Sequence, residues 1–185
     1  RFTDVGCNEF YMTINYKSRI LKAYFHDVMP PYKMEFLEEK EPYGTAGSLS
    51  LLKNKFSDPF FVTNCDIIIK ADFVSIYDFH QKGNFDITLV ASTKEYVIPY
   101  GTCHLDKDGY LSYIDEKPHF ELLINAGFYV LSPNILSLIP PNKFYHITDL
   151  IKDSKKKNKK IGVYPIEDDA WIDVGQWAEF KKATE

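Results

Sequence analysis

The chain has 185 residues, enough for one domain with a real core. Its 45% hydrophobic and 16% aromatic content marks it as globular rather than disordered, and a net charge of −4 argues against a nucleic-acid surface. Three widely spaced cysteines (Cys7, Cys65, Cys103) and five scattered histidines, without CxxC or HExxH spacing, support neither a disulfide framework nor a zinc centre. No run reaches membrane-spanning length and the opening residues do not read as a signal peptide, so a reducing, cytoplasmic setting is expected.

Residues 8–15 (NEFYMTIN) read as a strand and 17–25 (KSRILKAYF) as an amphipathic helix. Residues 34–37 form a short strand, 38–44 a loop, and 45–54 (TAGSLSLLKN) a helix whose small residues allow close packing. The apolar residues Phe60-Phe61-Val62 lead through Thr63-Asn64-Cys65-Asp66 into Ile67-Ile68-Ile69. This near-continuous β-branched and aromatic character suits a strand buried on both faces, as in a parallel sheet, and the strand is placed over 60–64. A carboxylate inside such a run is costly to desolvate, so Asp66 is expected where the strand ends and the sheet opens to solvent, the place where open α/β sheets bind ligands. A helix over 72–81 follows, with Asp72 as its N-cap and Gly83-Asn84 as its stop, and then a strand over 86–92 (DITLVAS). Strand and helix alternate throughout this half, the signature of a mainly parallel α/β sheet flanked by helices.

The rhythm then changes. Strand-like residues 100–105 and 110–115 flank Lys107-Asp108-Gly109, a hairpin signal, and so an inserted β-hairpin layer is expected. A strand over 122–131 (LLINAGFYVL) is interrupted at Asn125-Ala126-Gly127, where backbone must approach something closely. Helices over 134–138, 147–153 and 176–182 and strands over 161–164 and 170–172 complete a single domain, residues 1–185. The lysine run 155–160 closes a helix, where it complements the dipole and is solvated.

Five stretches stand in order: Glu39-Lys40-Glu41-Pro42-Tyr43-Gly44-Thr45-Ala46-Gly47, Asn64-Cys65-Asp66, Glu116-Lys117-Pro118, Asn125-Ala126-Gly127 and Trp171-Ile172-Asp173-Val174-Gly175. Together they resemble the sugar-1-phosphate nucleotidyltransferase family over nearly the whole chain. The resemblance implies a Rossmann-like, GT-A-like fold, Mg²⁺ dependence, and the reaction of a nucleoside triphosphate with a sugar 1-phosphate. The products are a nucleotide-activated sugar and pyrophosphate.

That chemistry brings two anions together, so a divalent metal is the natural screen. Mg²⁺ takes hard oxygen ligands. Asp66 and Asp173 match the family positions that supply them; Cys65 departs from the usual glycine before the first. Lys117 matches the lysine that holds the sugar phosphate, as a compact cation. Glu116 beside it would accept from sugar hydroxyls, while Asn125, Gly127 and Gly101 would line the sugar pocket. Gly44 matches the position that the base approaches, and Glu39 lies five residues earlier. A carboxylate only accepts hydrogen bonds, and guanine presents adjacent N1–H and N2–H donors, so guanylyl transfer, as in mannose-1-phosphate guanylyltransferase-like enzymes, is favoured.

The family's opening strand and glycine-rich loop, which cradle the triphosphate, have no counterpart in these 185 residues. The chain therefore reads as lacking that N-terminal segment, and the isolated chain is expected to be inactive or weakly active. The alternative is a non-catalytic nucleotide-sugar-binding or regulatory homologue. The resemblance is compatible with a homo-oligomer and with no nucleic-acid or membrane partner.

Overall fold

The computed structural model describes residues 1–175. In chain order the elements are β1 (Glu9–Ile14), α1 (Ser18–Val28), β2 (Lys33–Glu38), α2 (Gly44–Gly47) running into a 3-10 turn at Ser48–Leu52, β3 (Phe60–Thr63) and β4 (Ile67–Ile69). There follow α3 (Phe73–Gly83), β5 (Ile87–Val97), β6 (Thr102–Leu105), β7 (Leu111–Asp115), β8 (His119–Leu131), a 3-10 stretch at Pro133–Leu138, α4 (Ile147–Lys156), β9 (Ile161–Ile166) and β10 (Trp171–Asp173). The helix expected over 176–182 lies outside the described residues.

Capping set the boundaries of α3. The Asp72 carboxylate accepts from Val74 N at 3.0 Å, and Asn84 ends the helix in the left-handed conformation. The stretch 45–54 fares differently. Gly-Thr-Ala-Gly gives only four α-helical residues before the chain tightens into 3-10 geometry, because glycines at both ends weaken the helix.

The strand expected over 60–64 is β3, and Asp66 lies just past its end in the turn at 65–66. That strand is not, however, one of a parallel sheet buried on both faces. β3 is the half-buried end strand of a four-stranded sheet ordered β3-β8-β5-β9, antiparallel to β8. β4 joins a separate two-stranded ladder with β10. Continuous apolar character reports burial, not the direction of the partner strand.

The chain forms two compact units, each built from three stretches: 1–64, 72–89 and 128–162 in the first, and 65–71, 90–127 and 163 onward in the second. In the first unit, β1 and β2 run parallel, in register from Glu9 opposite Lys33 to Ile14 opposite Glu38. Its core gathers Leu37, Leu49, Ile87, Leu131, Ile135 and Leu150. Beside it Phe2, Phe61, Phe73 and Phe128 pack ring on ring, with Phe2 and Phe128 stacked at 5.8 Å.

The second unit holds the antiparallel β6–β7 hairpin and the β4–β10 ladder. The hairpin turns at 106–110, where Asp106 Oδ1 accepts from Asp108 N and Tyr110 N and Gly109 takes φ +85°.

Candidate functional site

Asp66 and Asp173 come together through the β4–β10 ladder. Trp171 pairs with Ile69, Ile172 with Ile68 and Asp173 with Ile67. One step further, Val174 N donates to Asp66 O at 2.9 Å, and at the other end Lys70 N donates to Ala170 O at 2.8 Å. Two aspartates 107 positions apart in sequence therefore stand at the same end of one short ladder.

Gly175 shows how close their side chains are. A methyl group built there would lie 3.1 Å from Asp173 Oδ1 and 3.1 Å from Asp66 Oδ2. The two carboxylate oxygens are thus no more than twice that distance apart, flanking one small space. Gly175 N also donates to Asp173 Oδ1 at 3.0 Å, which fixes that oxygen. Two hard, anionic oxygens around one space fit a divalent cation such as Mg²⁺, which uses one or two carboxylates and completes its shell with water and phosphate oxygens.

Trp171 lies two residues before Asp173, on the same side of β10. Lys94 on β5 sits over its ring, 5.1 Å from the centroid, and pairs with Asp168 at 2.8 Å. Sequence reasoning missed Lys94, which belongs to no motif and whose partners are distant in the chain.

Elsewhere in the second unit, residues 98–101 run beside 114–118. Ile98 N donates to Pro118 O at 3.1 Å, and a methyl group on Gly101 would stand 2.7 Å from Glu116 Oε2. Gly101 and Glu116 are therefore neighbours, and Lys117 follows in a left-handed turn at φ 49°. Asn125 Oδ1 accepts from Gly127 N at 3.1 Å, and Gly127 takes φ +75°. The glycine thus has a backbone reason that any pocket role would add to.

The two expected base-reading residues lie in the first unit. Glu39 Oε2 accepts from Tyr43 N at 3.3 Å, which draws the loop 39–43 in upon itself. Gly44, at φ +74°, is pressed against Tyr145, whose carbonyl oxygen would be 2.9 Å from an added methyl group. That carbonyl also accepts from Ala46 N and Gly47 N, each at 3.0 Å. The glycines of Gly44-Thr45-Ala46-Gly47 let backbone pack on backbone here. Tyr145 itself is anchored by donating its phenol hydrogen to Asp153 Oδ2 at 2.8 Å, and burial, followed by that carboxylate, pushes its pKa well above the usual range.

The family model described as "Nucleotidyl transferase" matches residues 1–185, and the chain belongs to that family. It is 30% identical over 187 residues to the mannose-1-phosphate guanylyltransferase catalytic subunit beta of Dictyostelium discoideum, covering 95% of this chain and 50% of that protein. With the mannose-1-phosphate guanyltransferase of Pichia angusta it shares 31% identity over 189 residues, 96% of this chain and 50% of the other. The chain spans about half the length of these curated relatives. Among solved structures, HddC from Yersinia pseudotuberculosis superposes with a TM-score of 0.71 at 24% identity, over 98% of this chain and 80% of that one. The fold is accordingly the Rossmann-like, GT-A-like α/β fold of the nucleotidyltransferases. Among the described residues, no helix is long and apolar enough to cross a membrane.

Proposed function

We propose that this chain belongs to an enzyme that transfers a nucleotidyl group, guanylyl by preference, from a nucleoside triphosphate to a sugar 1-phosphate. A phosphate oxygen of the sugar 1-phosphate attacks the α-phosphorus in line. The bond from that phosphorus to the bridging oxygen breaks, and pyrophosphate leaves with the electron pair. The convergence of Asp66 and Asp173 beside Gly175 supports this reading most directly. The names of the relatives favour guanine and mannose 1-phosphate.

Asp66 and Asp173 would hold Mg²⁺, which when bound screens the charge between the two anionic reactants. Lys117 would neutralise the phosphate of the sugar 1-phosphate, positioned by its left-handed turn. Glu116 would accept from sugar hydroxyls, with Gly101 leaving room for its carboxylate. Asn125 and the backbone at Gly127 would complete the sugar contacts. Glu39 and Gly44 would face the base, the Glu39 loop being already drawn in by Tyr43 N.

Calorimetric titration of the chain with GDP-mannose, with and without Mg²⁺, tests this. Binding that tightens when Mg²⁺ is present is expected. Equal affinity in both conditions, or none in either, would overturn the metal-centred reading.

A further inference from the structure

We propose that Gly175 is a positioning residue for the acidic pair, through the volume it leaves empty and through its N–H. The inference rests on the reading of Asp66 and Asp173 as metal ligands, and it assigns Gly175 a role that its place in the chain does not by itself require. Its φ lies outside the left-handed region, unlike Gly44, Gly109 and Gly127, so backbone conformation alone would admit alanine. What opposes a side chain is space. An added methyl group would sit 3.1 Å from each of two carboxylate oxygens, one on Asp66 and one on Asp173, and 3.7 Å from Asp66 Cβ.

Contacts so tight force a neighbour to give way. Asp66 is tied by its main chain, since its carbonyl accepts from Val174 N at 2.9 Å. Asp173 is tied through its side chain, since Oδ1 accepts from Gly175 N at 3.0 Å. The easiest relief is rotation of one or both carboxylates away from the shared space. A methyl group would also occupy part of the space where a cation would sit. Gly175 thus acts at two levels: its N–H aims one oxygen, and its missing side chain keeps the other from being pushed aside. Residues that orient metal ligands without binding the metal typically change affinity by roughly 10–100-fold when altered.

The experiment is Mn²⁺ titration of the chain, read by water-proton relaxation, on the wild type and on Gly175→Ala, with thermal unfolding in metal-free buffer beside it. Gly175→Ala is expected to unfold within a few degrees of the wild type and to bind Mn²⁺ about tenfold or more weakly. Unchanged Mn²⁺ affinity in Gly175→Ala, with the wild type binding normally, overturns the role of Gly175 and leaves the metal reading standing. A wild type that binds no Mn²⁺ overturns the metal reading, and this inference with it. Should Gly175→Ala fail to fold, the triple variant Gly175→Ala/Asp66→Ala/Asp173→Ala decides. Crowding by the two carboxylates predicts that it folds again, and failure to recover overturns the proposal.

Discussion

The hydroxyl of Thr45 accepts from Ile147 N at 3.0 Å, joining residues 102 positions apart and capping the first residue of α4. His146 and Asp149 form a capping box at the same helix end, so Thr45 supplies an acceptor for a further free N–H. The small residues around it allow this, since Gly44 and Gly47 pack against the backbone of Tyr145 and Lys143. Thr45→Val keeps the shape and removes the acceptor. It is expected to cost about 1 kcal/mol, seen as a drop of roughly 2–4 °C in the unfolding midpoint, with GDP-mannose binding retained once the protein is folded. A midpoint equal to that of the wild type would show that water serves the Ile147 N–H as well.

Gly101→Ala separates binding from stability. The hard clash is with Glu116 Oε2, the far end of a flexible and exposed side chain, so turning the carboxylate away relieves it cheaply. The exposed Ile114, whose Cγ2 would lie 3.2 Å away, has only to give by a few tenths of an ångström. Unfolding midpoints should match within a degree or so of each other, since surface changes of this kind stay within about 0.5 kcal/mol. Affinity for GDP-mannose should fall several-fold, because Glu116 would have left its place. Calorimetry on the two proteins measures this, and equal affinity would remove Glu116 from the sugar contacts.

The local elements were legible where period and caps agree. α3 is the clearest case, since Asp72 and Asn84 mark its ends by hydrogen-bonding chemistry that acts within four residues. The Asp66–Asp173 pair was legible only through the resemblance of its motifs to those of a family. Nothing in the spacing says that Ile67–Ile69 and Trp171–Asp173 pair, because strand partners are chosen by packing between segments far apart in the chain. The same cause hid the antiparallel pairing of β3 with β8 and the contact of Lys94 with Trp171 and Asp168. His80 could have been found. Phe73, Ile76 and His80 fall on one face of α3 at helical spacing, and that face is the buried one.

His80 is 1% exposed, with Nδ1 2.9 Å from Thr88 Oγ1 and Nε2 3.0 Å from Ser132 Oγ. Burial lowers its pKa below the ordinary 6.5, and Asp86 opposes that only in part. The folded protein therefore resists taking up a proton that the unfolded chain accepts. Stability is complete above about pH 6.5 and falls as the pH drops from there towards the lowered folded value, by at most about 1.4 kcal/mol per pH unit for one group. Urea unfolding between pH 7.5 and 5 is expected to show this loss in the wild type. His80→Gln should be less stable at pH 7.5, having lost shape and a ring hydrogen bond, yet flatter across the same range. Parallel curves for the two proteins would assign the acid sensitivity elsewhere.

Asp173→Asn tests the acidic pair with the least disturbance of its surroundings. Asparagine keeps an Oδ1 acceptor, so the hydrogen bond from Gly175 N survives, as does the Val174 N to Asp66 O bond that closes the ladder. The fold should therefore persist, with an unfolding midpoint in metal-free buffer equal to or slightly above that of the wild type, because two facing carboxylates repel and one has been neutralised. What disappears is half of the negative charge at the space beside Gly175. Mg²⁺ should then no longer raise the unfolding midpoint, and GDP-mannose binding should lose its dependence on the metal. A midpoint that still climbs with Mg²⁺ as it does in the wild type would mean that the ion is held by other oxygens, and that Asp173 serves the turn rather than the reaction.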